Sequence, residues 1–215
     1  MAAGESQRMG GVDKVLALLG GKPVLARTID AFQSSSSVDQ IVVVLSESNL
    51  EPGRQLVAEE GWSKVTDVCL GGRRRQDSVV AGLSRLKNCH WVVIHDGARP
   101  LLTEDLISRG LTEARETGAA VAAVPVTDTI KVAGDDRIVH QTTPRQNLWA
   151  VQTPQVFGYS IIAEAYRRAN GEVTDDASLV EQLGYRVKLY MGSYDNIKIT
   201  TPDDLVLAEV FVAKT

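Results

Sequence analysis

Short apolar, β-branched runs alternate along this chain with stretches in which apolar residues recur every three to four positions. A run such as Gln40-Ile41-Val42-Val43-Val44-Leu45 has the continuous apolar character of a strand buried on both faces. The pattern predicts strands over 40–45, 66–70, 90–95, 119–125 and 186–191. It predicts helices over 23–33, 51–60, 76–86, 103–117, 159–169, 175–183 and 201–212. The last of these opens with Thr201 as a cap, Pro202 in the first turn, and Asp203 and Asp204 opposing the helix dipole. Strands and helices in alternation predict an α/β, Rossmann-like fold: a mainly parallel sheet flanked by helices.

One region, 126–148, breaks this rhythm. Two short strand-like pieces, 129–132 and 138–142, surround the turn Ala133-Gly134-Asp135-Asp136 and predict a projecting β-hairpin arm. A lone hairpin is too small to be stable by itself, so the expected partner is a second copy of the chain.

At 215 residues the chain can bury one substantial core, and a single domain over 1–215 is expected. Its net charge of −4 argues against a general nucleic-acid binder, which would present a broad basic surface. Cys69 and Cys89 form no C-x-x-C pair, which leaves two reduced thiols as the expectation. No apolar run approaches the ~18 residues of a membrane span. A cytoplasmic protein without nucleic-acid or membrane partners is therefore expected.

The opening segment carries the first chemistry. Ala2, Ala3 and Gly4 let backbone N–H groups come close to phosphate oxygens, and Arg8 and Lys14 supply fixed positive charge. It is neither a Walker A loop nor a dinucleotide fingerprint. Phosphate loops of α/β folds normally follow an apolar strand, and none precedes this one, so the first strand is expected to be missing from the chain as written. After the predicted strand 90–95 comes His95-Asp96-Gly97-Ala98-Arg99-Pro100, where Asp96 is a candidate Mg²⁺ ligand and His95 a hydrogen-bonded structural residue. In Gly71-Gly72-Arg73-Arg74-Arg75-Gln76-Asp77-Ser78, the glycines leave backbone free to meet a nucleobase edge and Ser78 adds a hydroxyl. Adjacent arginine side chains diverge, so at most one of the three is expected to touch a ligand.

These motifs, in order, resemble those of the 2-C-methyl-D-erythritol 4-phosphate cytidylyltransferase family: AAGxxxRM with a following Lys, GGxxRxxSV, HDxARP, DT-x-K, R-x-x-LW-x-x-QTPQ, TDDAS and DNIKITTPDDL. The resemblance runs nearly end to end and implies a single nucleotidyltransferase domain that uses CTP, a phosphosugar alcohol and Mg²⁺. It makes Arg8 and Lys14 the pair that stabilises the transition state, and Asp96 the metal-binding aspartate. Ala2, Ala3, Gly4, Gly72, Ser78 and Asp96 would hold the nucleotide. Thr129, Lys131, Arg145 and Lys198 would hold the methylerythritol phosphate, with the arm reaching a neighbouring subunit in a homodimer. Two alternatives stand beside it, ribitol-5-phosphate cytidylyltransferase and a catalytically inactive nucleotide-binding protein. Asp13 stands where proline commonly precedes the lysine, HDGARP replaces the commoner HDAARP, and Arg73 stands where an acidic residue can assist base recognition.

Overall fold

The computed structural model describes residues 1–4, 13–169, 171 and 173–214. In chain order the elements are β1 (Leu18–Leu19), β2 (Lys22–Pro23), α1 (Val24–Ser34), β3 (Ile41–Leu45), α2 (Glu47–Glu60), β4 (Val65–Leu70), α3 (Arg75–Leu83), β5 (Trp91–Ile94) and α4 (Glu104–Thr117). They continue with β6 (Ala119–Pro125), β7 (Ile130–Ala133), β8 (Val139–Thr143), β9 (Trp149–Gly158), α5 (Tyr159–Arg168), α6 (Asp176–Gln182), β10 (Lys188–Met191) and α7 (Pro202–Val212).

The sheets are mixed, where the sequence pattern predicted a mainly parallel one. β3 and β4 pair in parallel, and a separate four-stranded sheet has the order β10-β6-β9-β5. β10 runs parallel to β6, but β9 lies antiparallel between β6 and β5. The arm is the cause: β7 and β8 turn the chain round, so that Trp149 returns opposite Pro125 and β9 runs back along β6. β9 also escaped the periodicity, because Gln152-Thr153-Pro154-Gln155 interrupts its apolar run.

β6 is the core strand. Its small residues alternate faces with the two-residue period of a strand. Ala119 and Val121 pack with Phe157, Ile162 and Leu179, while Ala120 and Ala122 pack with Leu106, Ile107 and Tyr190. Burying each of the larger side chains contributes about 1.5–3 kcal/mol, and the alanines let helices close on both faces.

The two sheets meet across a slot. The edges of β3 and β5 face each other over a cavity of about 670 Å³, lined by Val42, Val43, Val44, the β5 residues, Leu25, Ile29 and Phe32. Met1 and Ala2 enter one end as a short extended bridge. Ala2 donates its N–H to the Val44 carbonyl (2.8 Å) and bridges Leu45 in parallel, while the Met1 amino group donates to the His95 carbonyl (2.6 Å) and Met1 accepts from the Gly97 N–H (2.7 Å).

Candidate active site

At the carboxyl ends of β3 and β5 a cleft of about 830 Å³ gathers distant stretches of chain: residues 1–4 with Lys14, Ser46 with Glu47, the loop 70–75 with Ser78, Asp96 with Ala98, and Lys198. Ala2, Ala3, Gly4, Lys14, Gly72, Ser78, Asp96 and Lys198, all named from the sequence, line this one space. Arg8 lies outside the described residues.

Backbone geometry explains how the loops come so close. A Cβ on Gly71 would stand 2.4 Å from the Ala3 Cβ and 2.7 Å from the Ser78 hydroxyl, so glycine there lets loop 71–74 lie against the opening residues. A Cβ on Gly97 would stand 2.9 Å from the Ala2 Cβ, which gives the HDGARP glycine a packing reason. The Ser78 hydroxyl is buried; it accepts the Gly72 N–H (3.0 Å) and lies within bonding distance of the Arg74 carbonyl (3.2 Å), so it shapes the loop. Asp13 performs the same service near Lys14. Its carboxylate accepts the Val15 N–H (3.0 Å) and the Asn49 amide (2.5 Å), fixing the turn that presents the lysine.

Asp96 is the electrostatic centre. Its side chain is only 13% exposed and is ringed by three cations: Lys198 Nζ at 2.8 Å, Arg99 Nε at 3.6 Å and Arg75 Nη2 at 4.0 Å. Burial opposes its ionisation, but Lys198, Arg75 and Arg99 overcome that and hold the carboxyl well below the usual range. Asp96 and Asp176, the carboxylate behind Arg75, set two anions against these three cations, which leaves local positive charge for an anionic ligand. The cradle is rigid: the Asp96 N–H donates to the Thr153 hydroxyl (3.0 Å), which also contacts His95 Nδ1 (3.0 Å). The other ring nitrogen, Nε2, lies 3.1 Å from the Arg99 carbonyl. That carbonyl can only accept, so Nε2 carries the proton and Nδ1 accepts from Thr153. Burial pushes the His95 pKa down to about 3, which keeps the ring neutral, in the structural role its sequence context predicted.

Lys198 is held from behind. The buried Asn196 donates to the Thr153 carbonyl (2.8 Å) and accepts Arg99 on its own carbonyl (2.6 Å), and the Ile199 N–H donates to the Ala98 carbonyl (2.8 Å). The QTPQ, HDGARP and DNIKIT motifs thus lock one another. Arg75 and Arg99 were not named as site residues from the sequence; Arg73, Arg74 and Arg75 all line the cleft, and of these three Arg75 is the one that pairs with Asp96. The spacing of Asp96 and Arg99 was the available signal.

Thr129, Lys131 and Arg145 lie elsewhere, exposed on the arm and outside the cleft. Lys131 donates to the Thr142 hydroxyl (2.6 Å) and Arg145 to the Thr127 carbonyl.

The model of the IspD family, 2-C-methyl-D-erythritol 4-phosphate cytidylyltransferase, matches residues 1–214. This chain belongs to the IspD family. A 2-C-methyl-D-erythritol 4-phosphate cytidylyltransferase of Dehalococcoides mccartyi (strain ATCC BAA-2266 / KCTC 15142 / 195) is 53% identical over 214 residues, covering 100% of this chain and 94% of that protein. Among solved IspD structures, 4-diphosphocytidyl-2C-methyl-D-erythritol synthase from Anaerococcus prevotii DSM 20548 superposes with a TM-score of 0.85 at 29% identity, over 93% of each chain. The Thermus thermophilus enzyme gives 0.78 at 34% identity over 96% of each. Among the described residues, no helix is long and apolar enough to cross a membrane.

Proposed function

We propose that this single nucleotidyltransferase domain transfers a cytidylyl group from CTP to 2-C-methyl-D-erythritol 4-phosphate, giving 4-diphosphocytidyl-2-C-methyl-D-erythritol and pyrophosphate for isoprenoid precursor synthesis. The observation that carries this reading is the convergence of the opening loop, the glycine-arginine loop, Asp96 and Lys198 on one cleft, in a chain of this family. A phosphate oxygen of the phosphosugar attacks the α-phosphorus of CTP; the bond to the bridging oxygen breaks and pyrophosphate leaves. Two anions must meet, so the protein's task is to neutralise and align them. Lys14 and Arg8 stabilise the charge gathered in the transition state, loop 71–78 and residues 2–4 hold the nucleotide, and Lys198 faces the phosphosugar.

Mg²⁺ fits this cleft. Among the described residues no three His, Cys, Asp or Glu side chains converge on a metal site, but Mg²⁺ commonly uses one or two carboxylates together with substrate phosphates. Asp96 would hold it, and the bound ion would offset triphosphate charge.

The arm completes the site of a second copy. Among the described residues, Ile130, Val132, Ile138 and Val139 leave their apolar side chains exposed on a two-stranded hairpin, which calls for a partner surface. In a homodimer Thr129, Lys131 and Arg145 would bind the phosphosugar of the neighbouring subunit. The cytoplasm suits the free thiols Cys69 and Cys89.

The fold reading extends likewise: residues 1–2 bridge β3 and the segment that follows β5, joining the two sheets toward a Rossmann-like whole. The hydrogen bonds of Met1 and Ala2 to both sides support it.

The activity is tested by measuring pyrophosphate release with CTP, Mg²⁺ and each phosphosugar. Release with methylerythritol phosphate is expected. Preference for ribitol 5-phosphate would reassign the substrate, and CTP binding without release would leave a nucleotide-binding protein.

A further inference from the structure

The TDDAS motif, residues 174–178, has no task in the reaction described above, yet it places a wholly buried carboxylate behind the cleft. Asp175 caps α6, accepting the Ser178 N–H (3.1 Å) and the Gln155 amide (3.0 Å). Asp176, 0% exposed, grips Arg75, the first residue of α3: Nη1 donates to Oδ1 at 2.8 Å and Nη2 stands 2.6 Å from Oδ2 as an ion pair. The Tyr166 hydroxyl donates to the same Oδ1. The neighbouring Gln76 ties α3 to the Gly171 carbonyl (3.1 Å), so the start of this helix is anchored twice.

Arg75 then reaches Asp96 in a way the other two cations do not. Lys198 and Arg99 both approach Oδ2 of Asp96, whereas Arg75 approaches Oδ1, at 4.0 Å. Cations on both oxygens fix the rotation of the carboxylate, which a cluster on one oxygen would not do. Asp176 neutralises much of the Arg75 charge and engages both Nη atoms, so the Nη2 that faces Asp96 is held by a buried partner and has little freedom. We propose that Arg75, anchored by Asp176, is a positioning residue that couples the nucleotide loop 71–78 to the orientation of Asp96. This inference rests on reading the cleft as the CTP site. It gives TDDAS a function at a distance: the motif aims the carboxylate that would receive Mg²⁺ through a residue that begins the loop's own helix.

The test is calorimetric binding of CTP without phosphosugar, titrated with Mg²⁺, for Arg75→Gln, Arg75→Lys, Asp176→Asn and Tyr166→Phe. Outer-shell partners of metal ligands typically matter by roughly 10- to 100-fold, so Arg75→Gln and Asp176→Asn should weaken Mg²⁺-dependent CTP binding on that scale. Both should raise the Mg²⁺ concentration giving half-maximal binding, and Arg75→Lys should recover part of the loss. Tyr166→Phe removes one hydrogen bond to Asp176 and should shift binding in the same direction by less, which serves if Asp176→Asn fails to fold. Variants that melt earlier yet bind CTP with wild-type affinity and Mg²⁺ dependence, at a temperature where they remain folded, would overturn the positioning role. A wild-type chain that binds no CTP would overturn the reading of the cleft and this inference with it.

Discussion

The cleft around Asp96 and the β7–β8 arm both carry cations and hydroxyls to which the proposed reaction gives an anionic substrate, yet they are built by opposite means. In the cleft every cation near Asp96 is pinned by its own chain: Arg75 by Asp176, Arg99 by the Asn196 carbonyl, Lys198 through Ile199. On the arm, Lys131 and Arg145 are held by bonds within the hairpin and its return, and their surroundings are solvent. Preorganised charge can stabilise a transition state without reorganising at the moment of reaction. Charge on an exposed hairpin acquires that property when another surface orders it. Chemistry should therefore reside in the cleft, and recognition of the phosphosugar should depend on association.

The largest effect should come from the cleft. Lys14→Ala is expected to lower kcat by ~10²-fold or more, the scale of removing one preorganised electrostatic contribution, with CTP affinity much less affected. Arg8→Ala should behave alike. Steady-state kinetics over a range of CTP concentrations, with saturating phosphosugar, separate the two parameters, and a kcat within a factor of two of wild type would remove Lys14 from the transition state.

Next is the arm, where Arg145→Ala should mainly raise KM for the phosphosugar, by about tenfold, as expected for loss of one charge-assisted bond. The sharper test mixes Lys14→Ala chains with Arg145→Ala chains after dissociation. If the arm serves the partner, half of the dimers are mixed and one site of each is intact, so at phosphosugar well below the raised KM roughly a quarter of the sites should turn over with wild-type kcat/KM. If the arm serves its own cleft, mixing restores nothing and the contrast between the two regions collapses.

How much of this was visible beforehand follows the same division. The parallel strands and their helices were legible because each carries its own period, and the cleft residues because glycine, lysine and aspartate sat in ordered motifs. β9 was illegible, since its hydrophobic run is interrupted by Gln152, Thr153, Pro154 and Gln155, whose polar groups are satisfied by tertiary partners such as Asn196 and Asp175. The antiparallel insertion followed from that omission. Asp176 was equally hidden: an aspartate beside an N-cap reads as a dipole partner, and only its burial against Arg75 gives it a second meaning. Hydrophobic pattern reports one residue's preference for the interior; it does not report a polar pair made across a hundred positions.

The preorganisation of the cleft has a pH signature. His95 is buried neutral with its pKa pushed down to about 3, whereas in the unfolded chain it titrates near its ordinary 6.5. Below pH 6.5 the unfolded state therefore binds a proton that the folded state refuses, and stability is lost as pH falls toward 3. The slope approaches about 1.4 kcal/mol per pH unit from this group alone. Chemical denaturation of the metal-free protein between pH 7 and pH 5 should show it, and His95→Gln should flatten the slope. An unaltered slope would mean that the ring is not the buried proton-refusing group. Arm variants should leave the slope unchanged, since Lys131 and Arg145 lie on an exposed hairpin.

The smallest expected effect tests whether the cleft depends on the helix that follows Lys198. The Asp204 carboxylate accepts the Thr200 N–H (2.8 Å), the Thr200 hydroxyl (2.7 Å) and the Thr201 N–H (2.8 Å), closing the first turn of α7. Asp204→Ala should cost about 1 kcal/mol of stability, the usual scale of a lost cap. Its influence on the site should stop there, because Lys198 is fixed upstream of the cap: Ile199 is buried and bonded to Ala98, and the lysine itself is paired with Asp96. Denaturant midpoints should therefore fall while KM for both substrates stays within a factor of about two. A tenfold rise in the phosphosugar KM would mean that α7 carries Lys198, and that this half of the cleft, like the arm, borrows its order from elsewhere.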